Sequence, residues 1–590
     1  MRDGADIAGA GHLPSYLHRP DLETETFGTL CREVLLAEGR AEWVVEGDPQ
    51  MVLTAKRLFP GAAERGSGIA RFPATKRVFR ELVWFLHRWP LRPENPAAFE
   101  AAYAEACDHD AERRRAAVAP GEATPPPVFQ GELWPFQKEG LAFALVNRRT
   151  LIADEMGLGK TLQALAWLSA VDAWPAVVVV PSHLVRHWMD KAEAFLGAQG
   201  AGLLATPSSL KLHVLRGLRP YDPPLAQVYV IHYGLLSAWR REIIAMRPGA
   251  VVLDEIQELR HTGTQKYSAA SEIAADCENV LGLSGTPIYN RGGEIWSVVN
   301  ILEFHALGDY ESFTREWCGG YGVPTVSDPA LLGTHLRREG LMIRRRKEDV
   351  IPDLPPKRRV VETLETAGGL FDRLVAEGRK LACLAADADD PLERGRLERE
   401  AVAQARKATG VAKAPAAAAF VAGLIEAEEP VIVFAHHHAV VDALTDAIGP
   451  GRVCRVTGRE GQDQKAAAIK AFRDGVRDVC IVSLRAAAGL DGLQDRARVV
   501  VFAELDWSPA VHSQAEDWAH RMGQADSVLA YYPITEEGSD PEILDVLGLK
   551  VAQFVGLMGD RAETEADRTL AAQDTSAHMK RIVAKLRGAS

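Results

Sequence analysis

From Leu133 onward, short β-branched runs alternate with stretches whose apolar positions recur at helical spacing. The runs are Thr150-Leu-Ile-Ala, Ala176-Val-Val-Val-Val, Val228-Tyr-Val-Ile, Ala250-Val-Val-Leu and Val280-Leu-Gly-Leu. Unbroken apolar runs of this length read as strands buried on both faces, and strands separated by helices predict a parallel α/β sheet. Between about Glu362 and Ala417 the chain turns Ala/Glu/Arg-rich and helical. The strand-helix alternation then resumes with Val431-Ile-Val-Phe, Val453 to Val456, Val479 to Val482 and Val499 to Phe502. The fold class is therefore α/β, with two parallel-sheet lobes and helical insertions.

The chain before Leu133 has a different texture. Glu42-Trp43-Val44-Val45 predicts a strand and Gln50 to Leu58 a helix, while Arg77 to Trp89 carries apolar residues at the spacing of an amphipathic helix. The aromatic residues of Phe79 to Trp89 read as core rather than as a base-stacking platform. Ala111 to Pro127, ending in three prolines, reads as a linker. The expected division is a small α+β accessory domain over 1–125, a first lobe over 126–360, a helical insertion and second lobe over 361–558, and a charged tail over 559–590.

Composition narrows the class. A chain of 590 residues, 47% hydrophobic and 25% charged, excludes collagen, coiled-coil rods and wholesale disorder. Its seven cysteines are scattered without a C-x-x-C pair, which argues against a disulfide framework or zinc ribbon and suits a reducing, cytoplasmic setting. No apolar run approaches a membrane span, and the acidic first residues do not read as a signal peptide. A net charge of −12 does not suit a protein that coats nucleic acid, so any such contact is confined to a local groove.

Two motifs carry chemistry. D-E-M-G-L-G-K-T, Asp154 to Thr161, follows a predicted strand and opens a predicted helix, the context a phosphate-binding loop requires. Gly157 and Gly159 allow backbone N–H groups to close round phosphates, Lys160 reaches the β and γ phosphates, and the Thr161 hydroxyl suits Mg²⁺. Asp154 stands where the strict pattern has its first glycine. Downstream, Val251-Val-Leu-Asp254-Glu255 is a buried strand ending in two acids, costly without a partner such as a metal. In a phosphoryl-transfer site Asp254 holds Mg²⁺ and Glu255 orients or deprotonates the attacking water. Together they predict an ATPase using ATP and Mg²⁺.

With those motifs the chain resembles the Snf-type (Swi/Snf-related) branch of the superfamily-two helicase-like ATPases. The resemblance extends to L-W-P-F-Q-K-E-G (Leu133 to Gly140), P-S-H-L-V-R-H-W (Pro181 to Trp188), L-S-G-T-P-I-Y-N (Leu283 to Asn290), I-R-R-R-K-E-D-V (Ile343 to Val350) and Q-A-E-D-W-A-H-R-M-G-Q (Gln514 to Gln524). These fall in family order across roughly Leu133 to Lys550. Val431 to Leu444, Val500 to Pro509 and the phrase E-D-W-A-H-R-M-G-Q-A-D-S-V are similar to the annealing-helicase, HARP-like subgroup, whose members rewind DNA.

The resemblance implies two RecA-like lobes with ATP between them. It carries Gln137 over as the adenine reader, Gln514 and Arg521 as second-lobe groups at the nucleotide, and Asp491 as a contact to ribose and nucleic-acid backbone. Ser284-Gly285-Thr286 resembles the segment coupling hydrolysis to lobe motion, the alternative being a capped strand-to-helix turn. The chain departs from the family pattern at Trp518, where the first of two arginines belongs. Either Arg521 suffices, another arginine substitutes, or turnover is slow. Gln257 stands where the D-E-x-H motif has histidine. The basic residues Arg337, Arg338 and Arg344 to Lys347 read either as a DNA path or as a solvated helix face. His436-His437-His438 reads as a polar loop at a strand end rather than a metal site.

The implied activity is a DNA-dependent ATPase that translocates on duplex or forked DNA, mostly through backbone contacts, and remodels or reanneals it. It would sit in the cytoplasm, on the nucleoid if bacterial, with no membrane contact and with protein partners conceivable in a repair or defence complex. The alternatives are a strand-separating DNA or RNA helicase and an ATP-gated nucleic-acid-binding module with little turnover.

Overall fold

A computed structural model of the chain describes residues 26–35, 40–59, 68–74, 76–197, 210–275, 277–287, 293–320, 325–351, 353–366, 369–484, 492–521, 524–545 and 575–588. The chain forms two compact units, Met1–Ala119 and Pro120–Ser590.

The first unit is α+β. Its four-stranded sheet runs in the order Ile69–Pro73, Arg40–Gly47, Gly28–Leu35, Arg92–Pro93, antiparallel except for the last pair. Asp48 caps the helix Pro49–Leu58 by accepting from the backbone N–H groups of Gln50 and Met51. The helix Lys76–Arg88 buries Phe79, Leu82, Val83, Phe85 and Leu86 and leaves Trp84 exposed, so its aromatic stripe is mainly core. The expected linker begins later than the sequence suggests. Residues 111–118 complete the helix Pro96–Val118, because Ala, Glu and Arg are strong helix formers. Asp110 on that helix is buried and pairs with Arg114, Arg113 and, from the helix Lys76–Arg88, Arg80.

The second unit contains both predicted lobes. In the first lobe seven parallel strands run in the order Met342–Ile343, Arg149–Ile152, Asn279–Leu283, Ala250–Asp254, Ala176–Val180, Val228–His232, Leu212–Val214. All five residues of Ala176–Val180 are buried, as unbroken apolar strands covered on both faces must be. Three neighbouring strands, Arg149–Ile152, Asn279–Leu283 and Ala250–Asp254, end side by side. The phosphate loop, Ser284 and Asp254 therefore share the carboxyl edge of the sheet, where open α/β sheets bind ligands.

The second lobe has six parallel strands in the order Lys357–Thr363, Val528–Ile534, Val499–Phe502, Val431–Ala435, Val479–Ser483, Val453–Val456. Its edge strand straddles residue 360. The helical stretch resolves into Leu370–Leu374, Ala376–Asp387 and the 36-residue helix Pro391–Glu426. This last helix contains an 18-residue window with a mean hydropathy of 1.5, long and apolar enough to cross a membrane. Half of that window is buried within the protein, and the helix carries Lys413, whose ammonium donates to Asp540 at 2.6 Å and to the Pro533 carbonyl at 2.7 Å. Such an ion pair marks it as a core helix of the lobe. Ile582, Val583 and Leu586 of the C-terminal helix Thr575–Gly588 pack on the same helical layer.

Candidate functional site

The phosphate loop joins the strand Arg149–Ile152 to the helix Lys160–Val171. Gly157 and Gly159 take φ of +85° and +72°, left-handed conformations that an L side chain rarely adopts. A Cβ on Gly159 would also lie 2.5 Å from the Gln137 amide nitrogen. Gln137 opens the helix Pro135–Asn147, is buried, and lies against this loop: its Nε2 donates to the Leu158 carbonyl at 3.1 Å and its Oε1 accepts from the Trp134 N–H at 3.0 Å. The side chain assigned to reading adenine thus also fastens the loop.

Lys160 donates to the carbonyls of Asp154 at 2.8 Å and Glu155 at 3.3 Å. Burial lowers its pKa, opposed by the charges of Glu255, Asp154 and Asp254. Thr161 follows it, half-buried, in the first turn of the helix. Asp154 is fully buried, and its carboxylate oxygens are taken up by Arg345 and Gln163. Arg345 reaches both oxygens, at 2.9 and 2.5 Å, and also donates to the Phe136 carbonyl. A buried carboxylate is tolerable on these terms, forked by a guanidinium with its lone pairs satisfied. The Asp154 side chain thus anchors the loop instead of reaching into it.

Asp254 is the last residue of its strand and buried. One carboxylate oxygen accepts from the Trp188 indole N–H at 2.7 Å and the other from the Glu255 backbone N–H at 2.9 Å. Burial raises its pKa, offset chiefly by the Trp188 hydrogen bond and the charge of Lys160. Glu255 takes φ +50°, a strained conformation for a residue with a Cβ and of the kind that collects at functional sites. Burial, reinforced by the neighbouring Asp254 charge, pushes its carboxyl up to about 7. Gln257 donates to Glu255 and accepts from the Ser284 hydroxyl at 2.6 Å, while Ser284 accepts from the Thr286 N–H at 3.0 Å. The departure at Gln257 therefore preserves a chain of bonds from Glu255 to the Ser-Gly-Thr segment. Trp188, the last residue of its motif, is a site residue that sequence reading did not single out.

Of the basic run at 344–347, Arg344, Arg345 and Lys347 turn into the protein rather than onto a solvated face, while Arg346 pairs with the exposed Asp349 at 2.9 Å. Arg344 donates to the Ala153 carbonyl at 2.8 Å, and Arg345 is buried on Asp154. Lys347 is buried between the lobes, donating to Asp517 at 2.9 Å and to the His520 carbonyl at 2.6 Å, while its N–H donates to Glu155 at 2.6 Å. Close by, Glu516 is held by Lys357, Arg359 and the Tyr532 hydroxyl at 2.7 Å each. Burial would raise the pKa of both acids, but these cations hold Glu516 and Asp517 below the usual carboxylate range.

Arg521 completes this corner. A Cβ on Gly157 would sit 3.3 Å from Arg521 Cγ and 3.5 Å from Lys347 Cε, so the aliphatic stems of both side chains lie against the phosphate loop, while the Arg521 guanidinium rests on the Trp518 ring. Gln514 is half-buried on the helix Pro509–Glu516, and Asp491 lies outside the described residues. His437 pairs with Glu504 at 2.6 Å at the end of the strand Val431–Ala435.

A phosphate loop, an acid pair beside it and an arginine brought from a second parallel-sheet lobe define a helicase-type nucleotide hydrolase. Residues 136–367 match the SNF2-related domain and 416–523 the helicase conserved C-terminal domain. The chain belongs to the SNF2-related helicase-like ATPases. It is similar to the SWI/SNF-related matrix-associated actin-dependent regulator of chromatin subfamily A-like protein 1 of Drosophila melanogaster, 26% identical over 77% of this chain and 59% of that protein. It is also similar to the human DNA annealing helicase and endonuclease ZRANB3, 28% identical over 75% of this chain and 42% of that protein. The chain spans about half the length of these relatives. A Sulfolobus solfataricus SWI2/SNF2 ATPase core solved in complex with dsDNA aligns over 78% of this chain and 98% of its own at 18% identity, with a TM-score of 0.36, too low to carry an argument.

Proposed function

We propose that the chain is an ATP-hydrolysing motor that tracks along duplex or branched DNA and remodels or reanneals it. The observation that carries this reading is the meeting of the two lobes at the phosphate loop: Arg521 of the second lobe and Lys347, a first-lobe residue paired with Asp517 of the second, lie against Gly157, with Glu255 and Lys160 beside it. Lys160 binds the β and γ phosphates and Arg521 meets charge developing on the transferred phosphoryl group. Glu255, with a carboxyl pushed up to about 7, suits a group that orders and deprotonates water near neutrality. One carboxylate and one hydroxyl, Asp254 and Thr161, fit magnesium, which takes few protein ligands and completes its shell with phosphates and water. Bound there, magnesium would neutralise phosphate charge. Gln137 and Gln514 face the nucleotide.

DNA as the track is supported by the similarity to a DNA annealing helicase. With a net charge of −12, contact is confined to a groove and made to phosphates, so affinity falls steeply with salt. Protein partners of a repair or defence assembly, and a place on the cell's DNA, belong to the same reading. The test is steady-state ATP hydrolysis with no nucleic acid, single strand, blunt duplex, forked duplex and RNA, with Lys160→Ala as control. Stimulation by duplex, and more by the fork, is expected. Flat, near-zero turnover with ATP still bound would overturn the motor in favour of a nucleotide-gated binding module.

A further inference from the structure

Trp518 occupies the position where the family pattern has an arginine, and its surroundings give it a different task. The indole is 2% exposed, packed in the second-lobe core among Phe502, Leu505, Val511 and Ala515. One face of it carries Arg521, whose guanidinium carbon lies 4.2 Å from the ring centroid. The same arginine donates through Nε to the Asp517 carbonyl at 3.0 Å. From these two supports its Cγ reaches the phosphate loop, 3.3 Å from where a Cβ on Gly157 would stand.

We propose that Trp518 is a positioning residue: its ring is the platform that holds Arg521 against the phosphate loop. This rests on the ATPase reading above. A long guanidinium side chain has many rotamers to lose, and an arginine that must search for its place at each turnover forfeits part of its catalytic effect. A cation–π contact removes that search through the flat face of the guanidinium and does not itself use the in-plane donors. The position does not suit an arginine. A guanidinium at 518 would enter an apolar pocket beside Arg521, unpaired and repelled. The Trp518 indole N–H itself has no hydrogen-bond partner, in keeping with a ring used for its face.

The test is a double-mutant cycle in the full chain, reading kcat and KM for ATP on forked DNA per folded molecule. Trp518→Leu and Trp518→Arg are expected to lower kcat on the order of tenfold with KM changed less than about twofold, and Trp518→Phe to keep kcat within about threefold of wild type. In an Arg521→Ala background, Trp518→Leu should cost nothing further. Equal cost in both backgrounds would make Trp518 a packing residue and overturn the platform. Trp518→Arg turning over faster than wild type would overturn it too, by marking a vacated catalytic position. Where Trp518→Leu folds poorly, Trp518→Met, longer, more flexible and likewise without a ring, replaces it in the cycle. A wild type without Lys160-dependent turnover would overturn the ATPase reading and the platform together. A wild type that hydrolyses ATP with additive costs overturns the platform alone.

Discussion

The two corners facing each other across the phosphate loop are built on different plans. On the first-lobe side the cation, Lys160, rests on backbone carbonyls at the mouth of a strand, and its neighbours Asp254 and Glu255 stand at and just past a strand end, each with a side-chain partner, Trp188 and Gln257. Facing the second lobe, Arg521 and Lys347 each take a backbone carbonyl, of Asp517 and His520, and add side-chain supports: an indole face, the buried Asp517 and, behind it, the cluster round Glu516. Backbone supports tolerate change in their surroundings. Side-chain supports transmit it, so the second corner is where substitutions far from the nucleotide should alter rate.

The largest break in this contrast comes from removing each cation. Arg521→Ala is expected to lower kcat about 10³-fold with ADP affinity kept, since its charge matters most in the transition state. Lys160→Ala should lower both ADP affinity and rate. Steady-state kinetics paired with ADP titration separates the two, and a parallel loss of ADP binding in Arg521→Ala would erase the distinction.

A middle-sized effect falls on stability. Lys347→Met leaves Asp517 buried with a weaker partner, Lys357 at 3.5 Å, and should cost about 3 kcal/mol, read from thermal unfolding. Adding Asp517→Leu should recover part of it. The pH dependence follows from the same pair. Asp517 has a depressed folded pKa, so its stabilisation is complete above the ordinary aspartate range and is lost as pH falls through the folded value. Removing Lys347 raises that folded value, so the acid loss should begin at higher pH.

The smallest effect sharpens the comparison within the first corner. Gln257→Ala cuts the side-chain link from Glu255 to Ser284 while leaving both on their strand ends. Of the two hydrogen bonds lost, the one to the Ser284 hydroxyl is neutral and worth about 1 kcal/mol and the one to the Glu255 carboxyl is worth at least that, so DNA-stimulated hydrolysis should fall at least about fivefold. A loss as large as that of Arg521→Ala would mean that this corner too depends on side-chain support.

The same contrast explains what was legible in the sequence. The strands, the parallel sheets and the groups at 160, 254 and 255 could be read because a valine run, a glycine pair and acids at a strand end encode backbone geometry locally. Arg345 stands in a basic cluster whose sequence reads as a DNA path or a solvated face, and its buried role escapes both readings because its partner, Asp154, lies 191 residues away in sequence. Trp188 was invisible as a partner of Asp254 for a like reason, 66 residues apart, although its place at the end of a motif was the available signal. Trp518 was read as a loss because the pattern compares residue types, whereas its value lies in what stacks on its face. The helix over 111–118 reads as a linker because the prolines that follow it dominate the pattern, although its Ala, Glu and Arg and the i,i+4 pair Asp110–Arg114 are local helix signals; the pair of Asp110 with Arg80 is tertiary.

The Asp154–Arg345 pair has a consequence for how the chain comes off the ribosome. The phosphate loop is synthesised early, yet the guanidinium that fixes its first residue emerges 191 residues later, after six strands of the first-lobe sheet and immediately after its edge strand. A nascent chain that has made the glycines and lysine of the loop does not yet own the finished loop. Nucleotide capture is thereby deferred until the first lobe is whole, and a chain arrested before Arg345 would carry the motif without the pocket.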